Sequence, residues 1–437
     1  DTDLRHLIAF DMGGTTAKIC IVDDGEPFTT WDLEVDRAER FSSGSGLPLK
    51  IPSFEMIEIG AGGGSLAHIN ELGLLKVGPS SAGSTPGPCC YGRGGDQPTV
   101  TDALLVLGYL DPGYFLGGRL ALNQAAAEEA IGRQVGSVLG ISVEEAALGI
   151  YRIACGQMAE ATRVQLAEHG KDPRRYSLVA FGGAGPVHAC EVARQLKLPR
   201  VIVPPAAGIM SAYGLLMAPL AFSLVQSYPS VLSEVDRSSL DEQFALLEDR
   251  ARAMLLDAGV PAESIQLQRR FDLKYTGQKH TIEVELDATY FNADFDAALL
   301  EEFERLYVSQ HGRANRGLEL YLESIKVRGL GQVEASAGLM RGADASLPDA
   351  IDATRPVRFL GTPAPVPAQI LRRSSLNTGI RYTGPAIIEE PETTTVIGPL
   401  DQFEVDDRGN LVVFIGTSST NHTFGDTAQE AQVGFTR

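Results

Sequence analysis

The segment LIAFDMGGTTAKICIVDDGEP, residues 7–27, decides the fold of this chain. Two apolar runs flank a Gly-Gly turn, which is the pattern of a β-hairpin. Glycine lacks the Cβ that would keep a phosphate away from the backbone, and an aspartate at the strand end is placed to hold a hydrated Mg²⁺. The segment therefore predicts either a plain tight turn or a phosphate-binding hairpin. Its candidate ligand contacts are Asp11, Gly13, Gly14, Thr15 and Thr16.

A second glycine segment, AFGGAGPVHA at 180–189, favours the phosphate-binding interpretation. An apolar strand opens through glycines into a helix, so the backbone can approach a nucleotide and a helix N-terminus faces it. In this order, the two segments resemble the ATPase core shared by actin, sugar kinases and heat-shock chaperones. The resemblance implies an α/β fold built from ribonuclease-H-like halves. It also implies that the nucleoside contacts Gly182, Gly183, Ala184 and Gly185.

The spacing of a third glycine loop, IEIGAGGGS at 57–65, bears on which half is present. The loop follows Asp11 by about fifty residues, whereas a half of paired strands and crossover helices needs roughly twice that length. We therefore expect the hairpin and the 180–189 turn to belong to the same half. The first half of the ATPase core is then expected to lie outside this chain.

The composition excludes several classes of partner. A formal charge of −19 repels nucleic acid and anionic membranes. The five cysteines are an odd number without Cys-x-x-Cys spacing, which favours reduced thiols in the cytoplasm over disulfides or a zinc site. The first residues lack the pattern of a signal peptide, and no apolar run has the length of a membrane span. The sequence thus predicts a cytoplasmic protein without a nucleic-acid or membrane partner.

The order of strand and helix patterns predicts three domains. Residues 1–225 alternate short strands, glycine turns and helices, and Ser142 with Glu145 forms a capping box for a helix that ends at about residue 166. Residues 226–335 follow an α-β-β-α-β order, which predicts a small α+β domain. Residues 336–437 begin with a linker, continue as a β-rich C-terminal domain and end in a polar tail that is expected to be disordered.

Five segments carry a more specific resemblance over nearly the whole chain. They are IEIGAGGGSLAHI, VGPSSAGSTPGPCCYGRGG, PTVTDALLVLGYLDPGYFLGG, LVAFGGAGPVHA and GPAIIEEPETTTVI. In this order they resemble the family of hydantoinase A, 5-oxoprolinase and acetone or acetophenone carboxylase. The resemblance implies the second ATPase half and the two domains after it, without the family's N-terminal domain. It also implies a hetero-oligomer with a hydantoinase B-like subunit.

The same resemblance implies an activity that uses ATP and Mg²⁺. ATP phosphorylates the carbonyl oxygen of a cyclic amide, such as a hydantoin, 5-oxoproline or another lactam, which is then hydrolysed. Asp11 would orient Mg²⁺ through water. An ATP-dependent ketone carboxylase is the first alternative, and a non-enzymatic actin-like ATP switch is the second. Without the N-terminal domain and the partner subunit, we expect the chain to be inactive.

Several polar residues beside the glycine segments are weaker site candidates. Asp102 is a catalytic candidate as a base or a ligand of metal-bound water, with a helix N-cap as the alternative. Arg93 either pairs with phosphate or is a surface or structural arginine. His68 and His188 are substrate candidates, with a structural histidine as the alternative.

An acidic cluster near the C-terminus completes the set of candidates. We expect its glutamates to form a solvated sheet edge rather than a metal site, and we expect no transition metal in this chain. The cluster consists of Glu389, Glu390 and Glu392.

Overall fold

The computed structural model describes residues 4–35, 46–286, 295–315, 317–331 and 353–416. The chain divides into two compact units. The first contains Asp1–Ser211 and Gly342–Arg437, and the second contains Ala212–Arg341. The predicted linker at 335–350 and the predicted disordered tail lie outside the described residues.

The strands and helices of both units are numbered in chain order. The strands are β1 Leu7–Met12, β2 Ala17–Asp23, β3 Glu26–Pro27, β4 Thr29–Val35, β5 Leu47–Phe54, β6 Met56–Ile59, β7 Ser65–Ile69, β8 Leu75–Ser81, β9 Ser177–Phe181, β10 Arg200–Val203, β11 Leu220–Val231, β12 Ile265–Tyr275, β13 Ile282–Leu286, β14 Leu320–Gly331, β15 Ala353–Val357, β16 Val366–Arg372, β17 Tyr382–Thr383, β18 Ala386–Glu389, β19 Thr394–Ile397, β20 Gln402–Val405 and β21 Leu411–Phe414. The helices are α1 Val100–Val106, α2 Gln124–Ile131, α3 Ser137–Leu139, α4 Val143–Glu168, α5 Gly185–Leu196, α6 Met210–Met217, α7 Arg237–Asp257 and α8 Phe295–His311.

The main sheet of the first unit has the strand order β17-β20-β21-β10-β9-β1-β2-β3, and β6 also pairs with β2. β1 and β2 form the predicted hairpin. β1 runs parallel to β9, and β9 runs parallel to β10, with α5 as the crossover between them. Because the register places Asp11 opposite Phe181, the hairpin turn and the turn after β9 emerge at the same edge of the sheet.

Local sequence patterns explain the elements around this edge. Ile8, Phe10 and Met12 alternate along β1 and are fully buried, as a half-buried strand requires. Helix α4 starts at the predicted capping box, in which the side chains of Ser142 and Glu145 each accept a hydrogen bond from the other's backbone amide. This prediction is confirmed. The helix continues to Glu168.

The C-terminal strands belong to the first unit, whereas the sequence predicts a separate domain over 336–437. β21 pairs with β10, with Phe414 opposite Arg200, and β20 and β17 extend the same sheet. The apolar strand β21 covers an edge of β10 that would otherwise be open. Pairing between strands so far apart in the chain leaves no periodic signal in the sequence, which is why the pattern of short strands alone suggested an independent domain.

The second unit is a small α+β unit. An antiparallel sheet of order β11-β14-β12-β13 packs against α7 and α8. Phe244, Phe271 and Phe295 meet in its core. The unit begins at Ala212 rather than at the predicted residue 226. In the part of the chain that the structure describes, no helix combines the length and the apolar character that a membrane span requires.

Candidate functional site

The turn of the β1–β2 hairpin leaves its backbone open to a ligand. The amide of Gly13 donates to the carbonyl of Thr16 across the turn, at 3.1 Å. Among the described residues, the amides of Gly14 and Thr15 have no acceptor. A Cβ placed on Gly13 or Gly14 would meet no protein atom within 4 Å, so both glycines border open space. The turn can therefore admit an anion to amide groups that the protein does not use itself.

The glycine loop at 62–64 supports the hairpin turn from behind. The amides of Gly63 and Gly64 donate to the carbonyls of Gly13 and Gly14, at 3.1 and 2.6 Å. A Cβ on Gly62 would come within 2.5 Å of the amide nitrogen of Thr15, so the loop can approach this closely only as glycine. The third glycine loop of the sequence thus packs on the predicted phosphate-binding turn.

Helix α1 fixes this loop in turn. The backbone amide and the side-chain hydroxyl of Thr101 both donate to the carbonyl of Gly63, each at 2.8 Å. Two bonds to one carbonyl hold the loop against the first turn of the helix. The position of the hairpin turn therefore depends on a residue that follows it far along the chain.

The turn after β9 contacts the strand that carries Asp11. Gly182 has a φ of +81°, and a Cβ there would overlap the carboxylate of Asp11 and the carbonyl of Met12. The amide of Ala184 donates to that same Met12 carbonyl at 2.9 Å. Asp11 also accepts a hydrogen bond of 2.8 Å from the hydroxyl of Ser211. The structure thus brings Asp11, the hairpin turn and the 182–185 turn together.

Helix α5 begins at this turn without a side-chain cap. Its N-cap residue is Ala184, and Pro186 lies in its first turn. An uncapped helix N-terminus carries partial positive charge and favours an anion. Gly183, Ala184 and Val187 from this end of the helix line the cavity described next.

A cavity of about 160 Å³ lies beside the hairpin turn and the start of α5. Small residues, apolar side chains and polar side chains line it. The small residues are Gly13, Gly14, Gly63, Gly183 and Ala184; the apolar and aromatic ones are Tyr91, Leu104, Leu110, Tyr114, Phe115, Leu116, Val187 and Pro391; the polar ones are Thr101, Asp111, Glu389, Glu390, Glu392, Thr393 and Thr394.

Glu389 is a buried carboxylate at the end of β18, not part of a solvated edge. It is 3% exposed and forms ion pairs of 3.1 Å with Arg355 and with Arg372. Burial raises the pKa of Glu389, and the two guanidinium groups oppose that rise. Arg355 also pairs with Asp111 at 2.9 Å. The expectation of a solvated edge is wrong because arginines from two neighbouring strands neutralise the acid inside the fold.

The side chain of Glu390, the next residue, is 12% exposed and has fewer partners than that of Glu389. One of its oxygens, Oε1, lies 3.0 Å from Nε of Arg373, while Oε2 is buried and has no hydrogen-bond partner among the described residues. Burial raises the pKa of Glu390, and Arg373 opposes that rise while the nearby Glu392 adds to it. A carboxylate with one unsatisfied buried oxygen beside a cavity is a candidate for contact with a ligand.

Asp102 is part of a helix capping box and is not among the residues that line the cavity. The residue is fully buried at the N3 position of α1, in a capping box whose N-cap is Thr99 rather than Asp102 itself. Its carboxylate accepts from the amides of Cys89 and Cys90, at 3.2 and 2.7 Å, and from the amide and hydroxyl of Thr99, both at 2.8 Å. Four donors occupy the carboxylate, so this placement speaks against its prediction as a base or a ligand of metal-bound water.

The three substrate candidates lie apart from the cavity lining. His188 is fully buried in α5, where its ring stacks on Tyr151 and its Nδ1 lies 3.4 Å from Sγ of Cys155. Burial lowers the pKa of His188 to about 3. His68 is exposed on β7 and borders a different groove, with Lys76. Arg93 is exposed, with its guanidinium 5.9 Å from the ring centre of Tyr91.

Sequence reasoning missed much of the cavity. The quoted family segments contain Tyr91, residues 110–116 and residues 389–394, but no residue of these stretches received a binding role. One signal was available. Two glutamates directly continue the apolar strand pattern AII, and carboxylates that continue a buried strand need paired charges nearby.

The site has few of the ligands that a protein-bound metal requires. Among the described ranges, no group of three or more His, Cys, Asp or Glu residues is arranged to hold a metal ion. Mg²⁺ is commonly held by one or two carboxylates together with substrate phosphates and water. Asp11, half-buried beside the open hairpin turn, fits that mode of binding.

Comparison with known proteins identifies the family. Residues 2–223 match the family described as Hydantoinase/oxoprolinase, and residues 232–411 match the Hydantoinase/oxoprolinase C-terminal domain. The chain belongs to the hydantoinase/oxoprolinase family. Caprolactamase subunit alpha of Pseudomonas jessenii is 32% identical over 408 residues, which cover 91% of this chain and 56% of that protein.

Two solved structures have the same fold as this chain. Nucleotide-free acetone carboxylase, from a study of ATP-dependent acetone carboxylation, matches with a TM-score of 0.75 and 26% identity over 94% of this chain and 58% of that one. ATP-dependent caprolactamase from Pseudomonas jessenii matches with a TM-score of 0.74 and 29% identity over 95% of this chain and 59% of that one. The chain thus has the mixed α/β, actin-like ATPase fold of these relatives and spans a little over half their length.

Proposed function

We propose that this chain is the ATP-binding part of an enzyme that hydrolyses a cyclic amide by first phosphorylating its carbonyl oxygen. One observation carries the proposal: open backbone amides at the hairpin turn and an uncapped helix N-terminus border the same ring-sized cavity. Such a site offers an anion-binding end and an apolar end side by side. It suits the transfer of a phosphoryl group to a small apolar molecule.

The anion-binding end is proposed to hold the phosphates of ATP. The amides of Gly14 and Thr15 donate to phosphate oxygens, and the start of α5 adds favourable partial charge. Gly182, Gly183, Ala184 and Gly185 present backbone to the nucleotide, and the hydroxyls of Thr15 and Thr16 add further donors. Asp11 holds Mg²⁺ through water, and bound Mg²⁺ supplies positive charge that offsets charge developing on the transferred phosphoryl group.

The size of the cavity distinguishes the two ligands. An engineered apolar cavity of about 150 Å³ accommodates benzene, and this cavity is of similar volume, about 160 Å³. A single ring fits such a space completely. We therefore propose that the cavity accepts the ring of the second substrate, while ATP lies over the open hairpin turn.

Phosphorylation explains why an amide hydrolase would use ATP. An amide carbonyl resists water because its nitrogen donates electron density into the carbonyl group. Phosphorylating the oxygen opposes that donation and creates a good leaving group. The residues of this chain contribute by orienting the two reactants and by excluding water from the apolar end of the cavity.

An ATP-dependent ketone carboxylase is a second candidate, because acetone carboxylase shares the fold over 94% of this chain. An actin-like ATP switch without a small-molecule substrate is a weaker alternative. The relatives are longer and include a protein named as a subunit, so we propose that the active form contains further protein, including a hydantoinase B-like subunit. The free cysteines of the described chain fit a reducing compartment, and we propose the cytoplasm.

The test measures ADP release by the complete gene product together with its partner subunit. ATP and Mg²⁺ are supplied with lactams, hydantoins or ketones, each with and without bicarbonate. The proposal expects lactam-stimulated ADP release that is independent of bicarbonate. Ketone-stimulated release that requires bicarbonate would support the carboxylase instead, and no stimulation by any compound would support the ATP switch.

A further inference from the structure

We propose that Glu390 is the catalytic base of this site and that it takes the N–H proton of a single-ring secondary lactam while the carbonyl oxygen is phosphorylated. This inference rests on the proposed function and adds a residue role and a substrate class to it. Its evidence is the position of Glu390 in the cavity lining and the unsatisfied oxygen of its side chain.

The proposed reaction needs a base for its proton balance. A lone pair on the amide oxygen forms a bond to the γ-phosphorus of ATP, and the bond from that phosphorus to the bridging oxygen breaks, so its electron pair leaves with ADP. The N–H bonding pair becomes the π bond between carbon and nitrogen, and the π pair of the C=O bond moves onto the oxygen, which ends with single bonds to carbon and phosphorus. The proton released from nitrogen must then go to an acceptor, or a cationic product would form.

Glu390 lines the cavity and has a buried oxygen whose bonding leaves room for this proton. Arg373 lies beside Oε1, and Oε2 is buried without a hydrogen-bond partner among the described residues. By contrast, Glu389 is bound between Arg355 and Arg372, and Asp111 pairs with Arg355. We propose that a bound lactam reaches Glu390 through a small rotation of its side chain, so that the amide N–H satisfies the oxygen that the protein leaves unpaired.

The surroundings of Glu390 suit a base that is ionised yet able to accept a proton. Burial raises the pKa of its carboxyl group, which makes its ionised form a stronger base than a free glutamate. Arg373 favours the ionised form. Next to Arg373, the carboxylate of Glu390 can thus be charged and still be more basic than that of a free glutamate.

The backbone around Glu390 holds it near the predicted phosphate end. Its amide donates to the carbonyl of Thr393 at 3.0 Å, which closes the turn between β18 and β19. The hydroxyl of Thr393 reaches the carbonyls of Gly182 and Gly183. The turn that carries the proposed base is therefore bonded to the turn that is proposed to contact the nucleotide.

The experiment compares Glu390→Gln with Glu191→Gln in the complete enzyme with its partner subunit. Gln keeps the shape of Glu but cannot accept the proton. Glu191 is a matched control: burial raises its pKa, Arg194 lies 3.7 Å away, and it sits on α5 rather than in the cavity lining. ADP release is measured with 2-piperidone, ATP binding is measured by calorimetry, and folding is measured by thermal unfolding.

We expect Glu390→Gln to lower 2-piperidone-stimulated ADP release by at least ~100-fold, the usual contribution of a general base. The affinity of Glu390→Gln for ATP should stay within about twofold of the unchanged enzyme. For Glu191→Gln, both ADP release and ATP affinity should stay within about threefold, since neither change touches the phosphate end. Lactam turnover within tenfold of the unchanged enzyme in Glu390→Gln would overturn the assignment. So would a loss that appears in Glu392→Gln instead.

A second measurement on the unchanged enzyme keeps the proposal testable if Glu390→Gln does not fold. N-methyl-2-piperidone has no N–H proton to give, so it should compete with 2-piperidone but release ADP at least ~100-fold more slowly. Equal rates for the two lactams would overturn the role of Glu390. If no lactam stimulates the unchanged enzyme, the proposed function itself fails, and that outcome is distinct from a loss confined to Glu390→Gln.

Discussion

The hydroxyl of Thr393 donates a hydrogen bond of 3.3 Å to the backbone carbonyl of Gly183. It joins the turn between β18 and β19 to the turn after β9, two segments far apart in the sequence. Both turns line the cavity. The contact therefore couples the proposed base to the proposed nucleotide contact through a single buried side chain.

Thr393→Val should weaken this coupling while it keeps the side-chain shape. Loss of the bond leaves the carbonyls of Gly182 and Gly183 without this donor and should cost about 1–2 kcal/mol of unfolding free energy. We also expect a higher KM for the lactam, because the cavity lining shifts. Urea unfolding and steady-state kinetics check both effects. Thr383→Val, on the exposed face of β17, is the control, and equal losses in both variants would contradict the role of Thr393.

Gly182→Ala should lower the unfolding free energy by more than the left-handed backbone conformation alone would cost an alanine. Gly182 has a φ of +81°, and its Cβ would overlap Asp11 and Met12. The matched control is Gly140→Ala, where φ is +68° but nothing lies within 4 Å of the added carbon.

For Gly140→Ala we expect a loss of about 1 kcal/mol from the left-handed backbone, and for Gly182→Ala at least about 3 kcal/mol together with loss of ATP binding. Urea unfolding gives the free energies, and calorimetry gives the affinity for ATP. If Gly182→Ala is no more destabilising than Gly140→Ala, the close approach to Asp11 does not matter for folding.

Local features of this fold could be predicted from the sequence. The hairpin at 7–23 follows from alternating apolar residues around Gly-Gly, and the start of α4 follows from Ser142 and Glu145, because each signal lies within a few neighbouring residues. The meeting of Asp11 with Gly182 followed from the family resemblance. Parallel pairing of β1 with β9 is its structural cause.

Long-range features could not be predicted in the same way. Glu390 resembles a surface acid until Arg373, the residue that follows β16, is placed beside it. Asp102 resembles a free acid until the loop at 89–90 folds back onto it. In each case the partner is not a close neighbour in the sequence and is brought close only by the tertiary fold. The periodicity of a single sequence does not indicate such contacts.

Asp102→Asn tests the structural role that replaced the catalytic prediction. The amide side chain can accept with one oxygen only, and its NH₂ group would face donors that now bind the carboxylate. We expect a loss of at least about 2 kcal/mol in unfolding free energy, since buried hydrogen bonds to a charged group are lost. Glu145→Gln, at the N3 position of an exposed capping box, should lose much less stability than Asp102→Asn. A stable Asp102→Asn variant with abolished turnover would restore the catalytic interpretation.

Stability should fall in mild acid because of His188. Burial lowers its pKa in the folded state to about 3, whereas the unfolded side chain titrates at its ordinary value of 6.5. Between these values the unfolded state binds the extra proton, so unfolding becomes easier as the pH falls from 6.5 towards 3, by up to about 1.4 kcal/mol per pH unit. His188→Leu removes the titrating group and keeps an apolar side chain in the core. The difference in unfolding free energy between pH 7 and pH 5, from urea titrations, should therefore be smaller in this variant by about 2 kcal/mol. An unchanged difference in His188→Leu would mean that His188 does not titrate on unfolding in this range.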